Sequence, residues 1–375
     1  MLTHSKKAAI SALAIAATLI LASCGNSGNS GSSSAGAANK ADVATAKEMI
    51  APYTGQPSKF PITKPLATKP TGKRIAYLDC GTPICGLFYT VTKPAMEALG
   101  MSLTSIKAGL QADTVQAAVD TVVQDKYDGV FVPAIPPALW KRGLEQLQAN
   151  KIPVVTSGAI GLDPKAVPVQ QAGTKDSTRG GQVLAAQVVA EHGSKSDVAV
   201  YYTPELDFTN VIKDSFIEEM GKLCAGCKVR EVKVPVATFG TSSQTVIVDD
   251  LQAHPGTATA VFAIGEETAG LPAALKTAGI KVETIVNSPD PSNLEAIQKG
   301  DINMGFGLDL PVIAWTVADS LARMTTGQQP DPGAVEDIAP RQLLTAADLK
   351  GDVSRGWTGY PDFADRFMAL WSQAK

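Results

Sequence analysis

Short β-branched runs alternate with helical patterns twice along this chain of 375 residues, and no other feature limits its fold so strongly. Arg74 to Leu78, Ser102 to Ile106, Gly129 to Val132 and Ile152 to Thr156 read as buried strands. Between them, Asp113 to Gln124 carries Val115, Val119, Val122 and Val123 at helical spacing. The series then begins again. Val198 to Tyr202, Val229 to Val234, Ala260 to Ile264 and Val282 to Val286 read as strands, with helices near Thr209 to Met220, Gln244 to Leu251 and Glu267 to Ala278. Continuous apolar strands separated by helices imply parallel sheets covered on both faces. Asp128-Gly129-Val130-Phe131-Val132 also matches Thr259-Ala260-Val261-Phe262-Ala263 in type, and Leu147 to Val154 matches Leu275 to Val282, so two similar α/β lobes are expected.

Composition narrows the partner. Hydrophobic residues make up 45% and charged residues 18%, a globular balance that excludes a disordered chain. A net charge of -3 offers no broad basic surface, which argues against nucleic acid as partner and for a small molecule.

Lys6 and Lys7 precede an apolar stretch from Ala8 to Ala22, too short to span a bilayer and of the right length for a secretory signal. It ends in Leu21-Ala22-Ser23-Cys24, which looks like a bacterial lipobox. The expectation is a signal peptide over 1–23, lipidation at Cys24 and an extracytoplasmic protein anchored to the cell membrane. Residues 25–39 contain only Gly, Asn, Ser and Ala, a flexible tether of roughly 20 Å. A short helical pattern follows from Asp42 to Ile50, then Pro52, Pro57, Pro61, Pro65 and Pro70 read as an extended lead-in. Residues 24–72 are thus expected to lie outside the folded part, which begins near Lys73.

In open parallel sheets, ligands sit beyond the carboxyl ends of the strands. The loops there supply the candidate ligand-binding residues Asp79, Phe88, Ser157, Asp207, Phe208, Asn210, Glu266, Asn287 and Asp309. Bland roles compete with that reading. Asp207 or Thr209 could cap a helix with Phe208 packed beneath it. Glu266 and Glu267 could offset the dipole of a helix that they open. Asp309 could cap a hinge, and Trp140 reads as core.

Cys80 with Cys85 and Cys224 with Cys227 form two close pairs, which outside the cytoplasm favour disulfides. A four-cysteine zinc site would need loops of different lobes to meet. Cys224-Ala225-Gly226-Cys227 follows a helix, the wrong end for a redox motif. No GxSxG, HExxH or GxxxxGK[ST] pattern occurs, and beyond the leader the only histidines are His192 and His254, so the chain does not read as an enzyme. Nothing calls for a cofactor or a metal.

Several segments together resemble the type I periplasmic binding proteins, the ribose-binding-protein-like receptors of ATP-driven importers. They are Gly129-Val130-Phe131-Val132-Pro133, Asn150-Lys151-Ile152-Pro153-Val154-Val155, Gly180-Gly181-Gln182-Val183-Leu184-Ala185, and His254-Pro255-Gly256 to Val261-Phe262-Ala263. Trp357-Thr358-Gly359-Tyr360-Pro361-Asp362-Phe363 to Leu370-Trp371 looks like the tail of some bacterial members.

The resemblance implies two Rossmann-like lobes joined by a three-strand hinge near Gly173-Thr174, Leu308-Asp309 and Gly333 to Glu336. Lobe one would be 73–173 plus 309–334, and lobe two 174–308 plus 335–375 with the tail. It also implies a monomer that closes on a small polar solute, a sugar or polyol first, and presents it to the permease and ATPase subunits of an ABC importer. A sensory receptor docking on a histidine kinase or chemoreceptor is the alternative, and an extracytoplasmic enzyme a more distant one.

Against the family pattern, the first loop is Cys80-Gly81-Thr82-Pro83-Ile84-Cys85-Gly86-Leu87-Phe88 in place of an Asn-Pro-aromatic-aromatic run. The third strand is followed by Ala134-Ile135-Pro136-Pro137 in place of a hydroxyl-chelating Asp. Asn210 stands where relatives often carry an Arg, and Asn287-Ser288 where they often carry an Asp.

Overall fold

The computed structural model describes residues 35–193, 196–337 and 339–374. The expected signal peptide and Cys24 lie outside the described residues. The chain runs α1 (Ala35–Ile50), β1 (Arg74–Asp79), α2 (Pro83–Ala98), β2 (Ser102–Lys107), α3 (Ala112–Gln124), β3 (Gly129–Pro133), α4 (Lys141–Ala149), β4 (Val154–Ser157) and β5 (Val169–Gln171). It continues through α5 (Thr174–His192), β6 (Asp197–Tyr202), α6 (Asp207–Leu223), β7 (Lys228–Lys233), α7 (Ser243–Ala253), β8 (Thr259–Phe262), α8 (Leu271–Ala278), β9 (Glu283–Asn287), α9 (Pro291–Lys299) and β10 (Met304–Leu308). Last come α10 (Leu310–Thr325), α11 (Pro332–Val335), β11 (Arg341–Leu344) and α12 (Phe363–Trp371).

Two sheets result. The first is all parallel in the order β2-β1-β3-β4-β5, with Tyr77 beside Phe131 and Val132 beside Thr156. The second has the order β11-β10-β9-β8-β6-β7, parallel except for β11, which runs against β10 with Phe306 beside Leu343. Ile75 to Leu78, Val130 to Val132 and Ala260 to Phe262 are fully buried because helices cover both faces of each sheet. Helix α10 is buried from Leu310 to Arg323, since it lies between the first sheet's strands, α2 and α12. Helices α5 and α6 approach closely at Gly181, where a Cβ would meet the Ile212 carbonyl oxygen at 2.3 Å. That contact gives the Gly180-Gly181 segment a packing reason.

The chain passes between the lobes after β5, after β10 and after α11. Two carboxylates fasten the passages together. Asp337, from the third, accepts from the Gly173 and Lys175 amides of the first at 2.6 and 2.8 Å. Asp309, from the second, caps α10 through the Val312 amide at 3.1 Å and accepts from Thr358 and Gly359 at 3.0 and 2.8 Å.

Both ends of the chain depart from the expected layout. Helix α1 starts in the supposed tether, as its alanines favour helix, and Val43, Ala46, Met49 and Ile50 pack on the core of lobe two. The proline-rich lead-in is folded too. Phe60, Ile62 and Leu66 pack into lobe one, the Thr63 and Lys64 amides donate to Asp331, and Pro61 abuts Gly333 so closely that no side chain fits there. Proline fixed the backbone of this strap, while the apolar residues between the prolines anchor it.

The tail divides between the lobes. Leu349, Val353 and Trp357 stay with lobe two, whereas Tyr360, Phe367 and Trp371 return to lobe one, where Trp315 stacks on Trp371 at 5.2 Å. The tail does not belong to lobe two alone, and folding does not begin at Lys73.

Candidate ligand cleft

The first turns of α2 place Ile84 and Phe88 on the rim of lobe one. Cys80 and Cys85 are joined across this turn, and Phe88 packs edge-on against Phe131 at 5.7 Å. Ala134 follows β3, and Ser157 ends β4 with Gly158 after it, at the same end of the sheet. From lobe two come Ser177 of α5, Phe208 and Ile212 of α6, Ile264 after β8, Asn287-Ser288 after β9 and Arg341 of β11, and Leu308 and Leu310 line the hinge side. Together they line one cleft between the lobes.

The lobes are closed on one another in this form. The Ile84 amide, at the start of α2, donates across the cleft mouth to Glu266 Oε1 at 2.9 Å, and Gly158 faces the Phe208 ring.

Arg341 is the cleft's one buried cation among the described residues. Its Nε and Nη2 donate to Asp176 at 2.9 and 2.6 Å, its Nη1 donates to Asn287 Oδ1 at 3.2 Å and lies 3.4 Å from Ser288 Oγ, and the guanidinium sits 5.0 Å from the Phe306 ring. Asn287 Nδ2 in turn donates to the Ala263 carbonyl at 3.0 Å and to Ser288 at 3.2 Å. The cluster is therefore close to neutral and nearly saturated. Ser157 and Ser177 differ. Both are buried, they face the cleft from opposite lobes, and neither hydroxyl bonds to a described side chain or backbone group.

Of the residues singled out from sequence, Phe88, Ser157, Phe208 and Asn287 line the cleft. The others are engaged elsewhere. Asp79 accepts from the Gly81 amide at 2.9 Å and shapes its own loop. Asn210 donates to the Pro204 carbonyl at 3.0 Å and fixes the start of α6. Asp207 sits in the first turn of that helix, its carboxyl raised by burial. Both Asp309 oxygens are taken by the hinge, and burial pushes its pKa up to about 7.

Glu266 and Glu267 open a short 3-10 turn, ahead of α8 and distinct from it. They occupy a tight turn over Gly265–Thr268, because Gly270, at φ 74, separates it from α8. Burial raises Glu266 to about 7 and Glu267 to about 8; Glu267 accepts from the Thr203 hydroxyl at 3.0 Å, and the Oε2 atom of each is buried without a partner among the described residues. Glu266 guards the mouth beside Pro83, Leu87 and Asp290 and is absent from the cleft lining.

Sequence reasoning missed Ser177 and the Arg341–Asp176 pair, and named Ile84 only within its loop. The pair joins residues 165 apart, so no local spacing announces it. Ser177, by contrast, falls in the first turn of the helix that follows the first crossing, where a strand-end argument could have found it.

Cys224 and Cys227 are also joined, at the far end of α6, away from Cys80 and Cys85. His192 pairs with Glu283 and His254 with Asp250; neither histidine lines the cleft. No helix of the described residues is long and apolar enough to cross a membrane.

Residues 90–329 match the family described as periplasmic binding protein domain. No curated protein matches the chain. Among solved structures, a subunit of an ABC sugar transporter from Rhodobacter sphaeroides 2.4.1 is 18% identical, with a TM-score of 0.64 over 73% of this chain and 98% of that one. An ABC transporter solute binding protein from Agrobacterium vitis with bound allitol is 17% identical, with a TM-score of 0.63 over 73% and 95%. A protein from Mycobacterium smegmatis in complex with β-D-fucofuranose is 16% identical, with a TM-score of 0.62 over 80% and 96%. With two α/β lobes of type I architecture closed over a cleft and most of both lobes inside the matched span, the chain belongs to the periplasmic binding protein domain family.

Proposed function

We propose that this protein is an extracytoplasmic receptor that binds a small organic solute of sugar or polyol size and delivers it to the permease and ATPase of an ABC importer. It acts as a monomer, and Cys24 carries the lipid that holds it at the cell membrane; loss of membrane retention in Cys24→Ser is the test of that anchor. The observation that carries the reading is the closed cleft itself. Apolar walls of both lobes face each other, polar groups come from Ser157 on lobe one and Ser177, Asn287, Ser288 and Arg341 on lobe two, and the carboxylates of Asp309 and Asp337 fasten the chain crossings between the lobes.

In this mechanism the solute first meets the open form. Closure brings the Ile84–Phe88 wall over it, and the Ile84 amide reaches Glu266 only when the lobes meet. The solute shifts the population toward the closed form by the difference in its affinity for the two states. The closed pair of lobes is then the surface that a permease reads. The likeness in fold to a sugar transporter subunit and to an allitol-bound solute binding protein supports this assignment.

Small-angle scattering with thermal unfolding tests it. A bound solute at a hundred times its dissociation constant should add about 2.7 kcal/mol of stability and reduce the radius of gyration. Unfolding and scattering unmoved by every sugar, polyol, ring alcohol and phenol tried would overturn the receptor reading.

A further inference from the structure

The cleft is lined by more carbon than a free sugar would use. Ile84, Phe88 and Ala134 form one wall, Phe208, Ile212 and Ile264 face them, and Leu308 and Leu310 close the hinge side. The polar groups that remain are mostly committed to each other: Arg341 to Asp176 and Asn287, and the Asn287 amide to Ala263 and Ser288. Ser157 and Ser177, one from each lobe, line the cleft with hydroxyls that bond to no group among the described residues, and Ser288 adds a hydroxyl that accepts from Asn287 and Arg341 and keeps its own proton free. A free sugar brings a hydroxyl on nearly every carbon. Each one buried without a partner should weaken binding by roughly five- to a hundredfold.

We infer that the solute is a small carbon ring with one polar end, such as a cyclic alcohol or a phenol, whose hydroxyl both donates and accepts between Ser157 and Ser177 while its carbon face lies against Ile84, Phe88 and Phe208. The inference rests on the receptor reading above and concerns the same cleft. Arg341 does not select an anion here, because Asp176 neutralises it at two points. Its place is beneath the polar end, holding Asn287 and Ser288 in position.

Calorimetric titration of the mature protein tests this with two sets of probes: p-cresol and cyclohexanol, and D-ribose, L-arabinose and allitol. At least one of the first pair should bind ten or more times tighter than any of the second set. The double variant Ser157→Ala with Ser177→Ala should weaken p-cresol by roughly five- to tenfold. Its unliganded melting temperature should stay nearly unchanged, since neither hydroxyl holds the fold. In Ile84→Gln, at a partly buried rim position, p-cresol should weaken while the polyols gain. A polyol that binds as tightly as p-cresol or cyclohexanol overturns the inference and leaves the receptor reading standing. Unchanged p-cresol affinity in the double serine variant overturns the placement of the polar end. If neither set binds or compacts the protein, both readings fall.

Discussion

Arg323 and Arg341 both lie almost fully buried against an aspartate, 2.7 Å from Asp319 in lobe one and 2.6 Å from Asp176 in lobe two. What differs is the rest of their surroundings. Arg323 also donates to the Lys64 and Pro65 carbonyls of the lead-in strap at 2.5 and 3.2 Å, and Asp319 accepts from the Trp371 indole at 2.9 Å. That pair staples both ends of the described chain to α10. Arg341 turns its remaining donors to Asn287 and Ser288, at the edge of the cleft. The same pairing chemistry thus holds a fold in one lobe and shapes a site in the other, and the distinction lies in the groups around the guanidinium.

Truncation should separate the two. Arg323→Ala and Arg341→Ala each leave an aspartate buried without its partner, which costs about 3–5 kcal/mol of stability. Both variants should therefore unfold at clearly lower temperature. Only Arg341→Ala should weaken p-cresol binding in the folded protein, by about tenfold, because only there do Asn287 and Ser288 lose a support. Titration at a temperature where both variants remain folded would show it. An equal loss of affinity in both would erase the contrast drawn here.

Protons act on both lobes through their buried carboxyls. Around the hinge and in lobe two, burial raises Asp309 and Glu266 to about 7 and Glu267 to about 8, while on lobe one Asp128 is lowered, by Lys73 and the Arg74 amide acting against desolvation. A carboxyl raised in the folded state keeps its proton where the unfolded chain has lost it. Its stability is then fully present below the unfolded value, near 4, and is lost as pH rises through the folded one. Asp337 and Asp319 are raised by burial as well and act in the same direction, whereas Asp128 acts oppositely, in a window below 3.8. The unliganded protein should therefore melt at higher temperature at pH 5 than at pH 8.5. Glu267→Gln, which stays neutral, should flatten that slope more than Glu266→Gln, whose carboxylate Oε1 has the Ile84 amide as donor. A slope of the opposite sign would overturn the account.

The strands of both lobes were legible because a strand buried on both faces writes itself as an unbroken apolar run, as in Val130-Phe131-Val132 and Ala260-Val261-Phe262. Loops at strand ends were legible as a class for the same topological reason. Which loop residue faces the cleft was not. Asn210 and Asp309 have side chains suited to a ligand, yet each bonds to its own surroundings, which are only a few residues away or arrive from the tail. Arg341 and Asp176 were invisible because burial makes them partners only after three chain crossings are in place. The strap from Phe60 to Leu66 escaped since prolines dominate its pattern and its apolar residues follow no period.

The two cysteine pairs give the finest version of the comparison between lobes. Cys80–Cys85 and Cys224–Cys227 each close a short loop, so the loss of either should cost on the order of 2 kcal/mol. Their positions differ. The first sits at the start of α2, one residue from Ile84, whose amide meets Glu266 across the cleft mouth, and three from Phe88, which lines the cleft. The second joins the end of α6 to β7, at the opposite end of lobe two from Phe208. Replacing Cys80 and Cys85 by Ser should therefore lower the melting temperature and also weaken p-cresol, because the first turn of α2 is free to shift and both the wall and the latch move with it. Replacing Cys224 and Cys227 by Ser should lower the melting temperature alone. The measurement is a titration of both double variants beside the parent protein, after unreduced peptide mapping of the parent has established that each pair is bonded. If the first variant binds p-cresol as the parent does, the disulfide is a staple like any other, and the α2 turn holds the cleft wall through Tyr77, whose hydroxyl donates to the Cys85 carbonyl, and through the packing of Phe88 on Phe131.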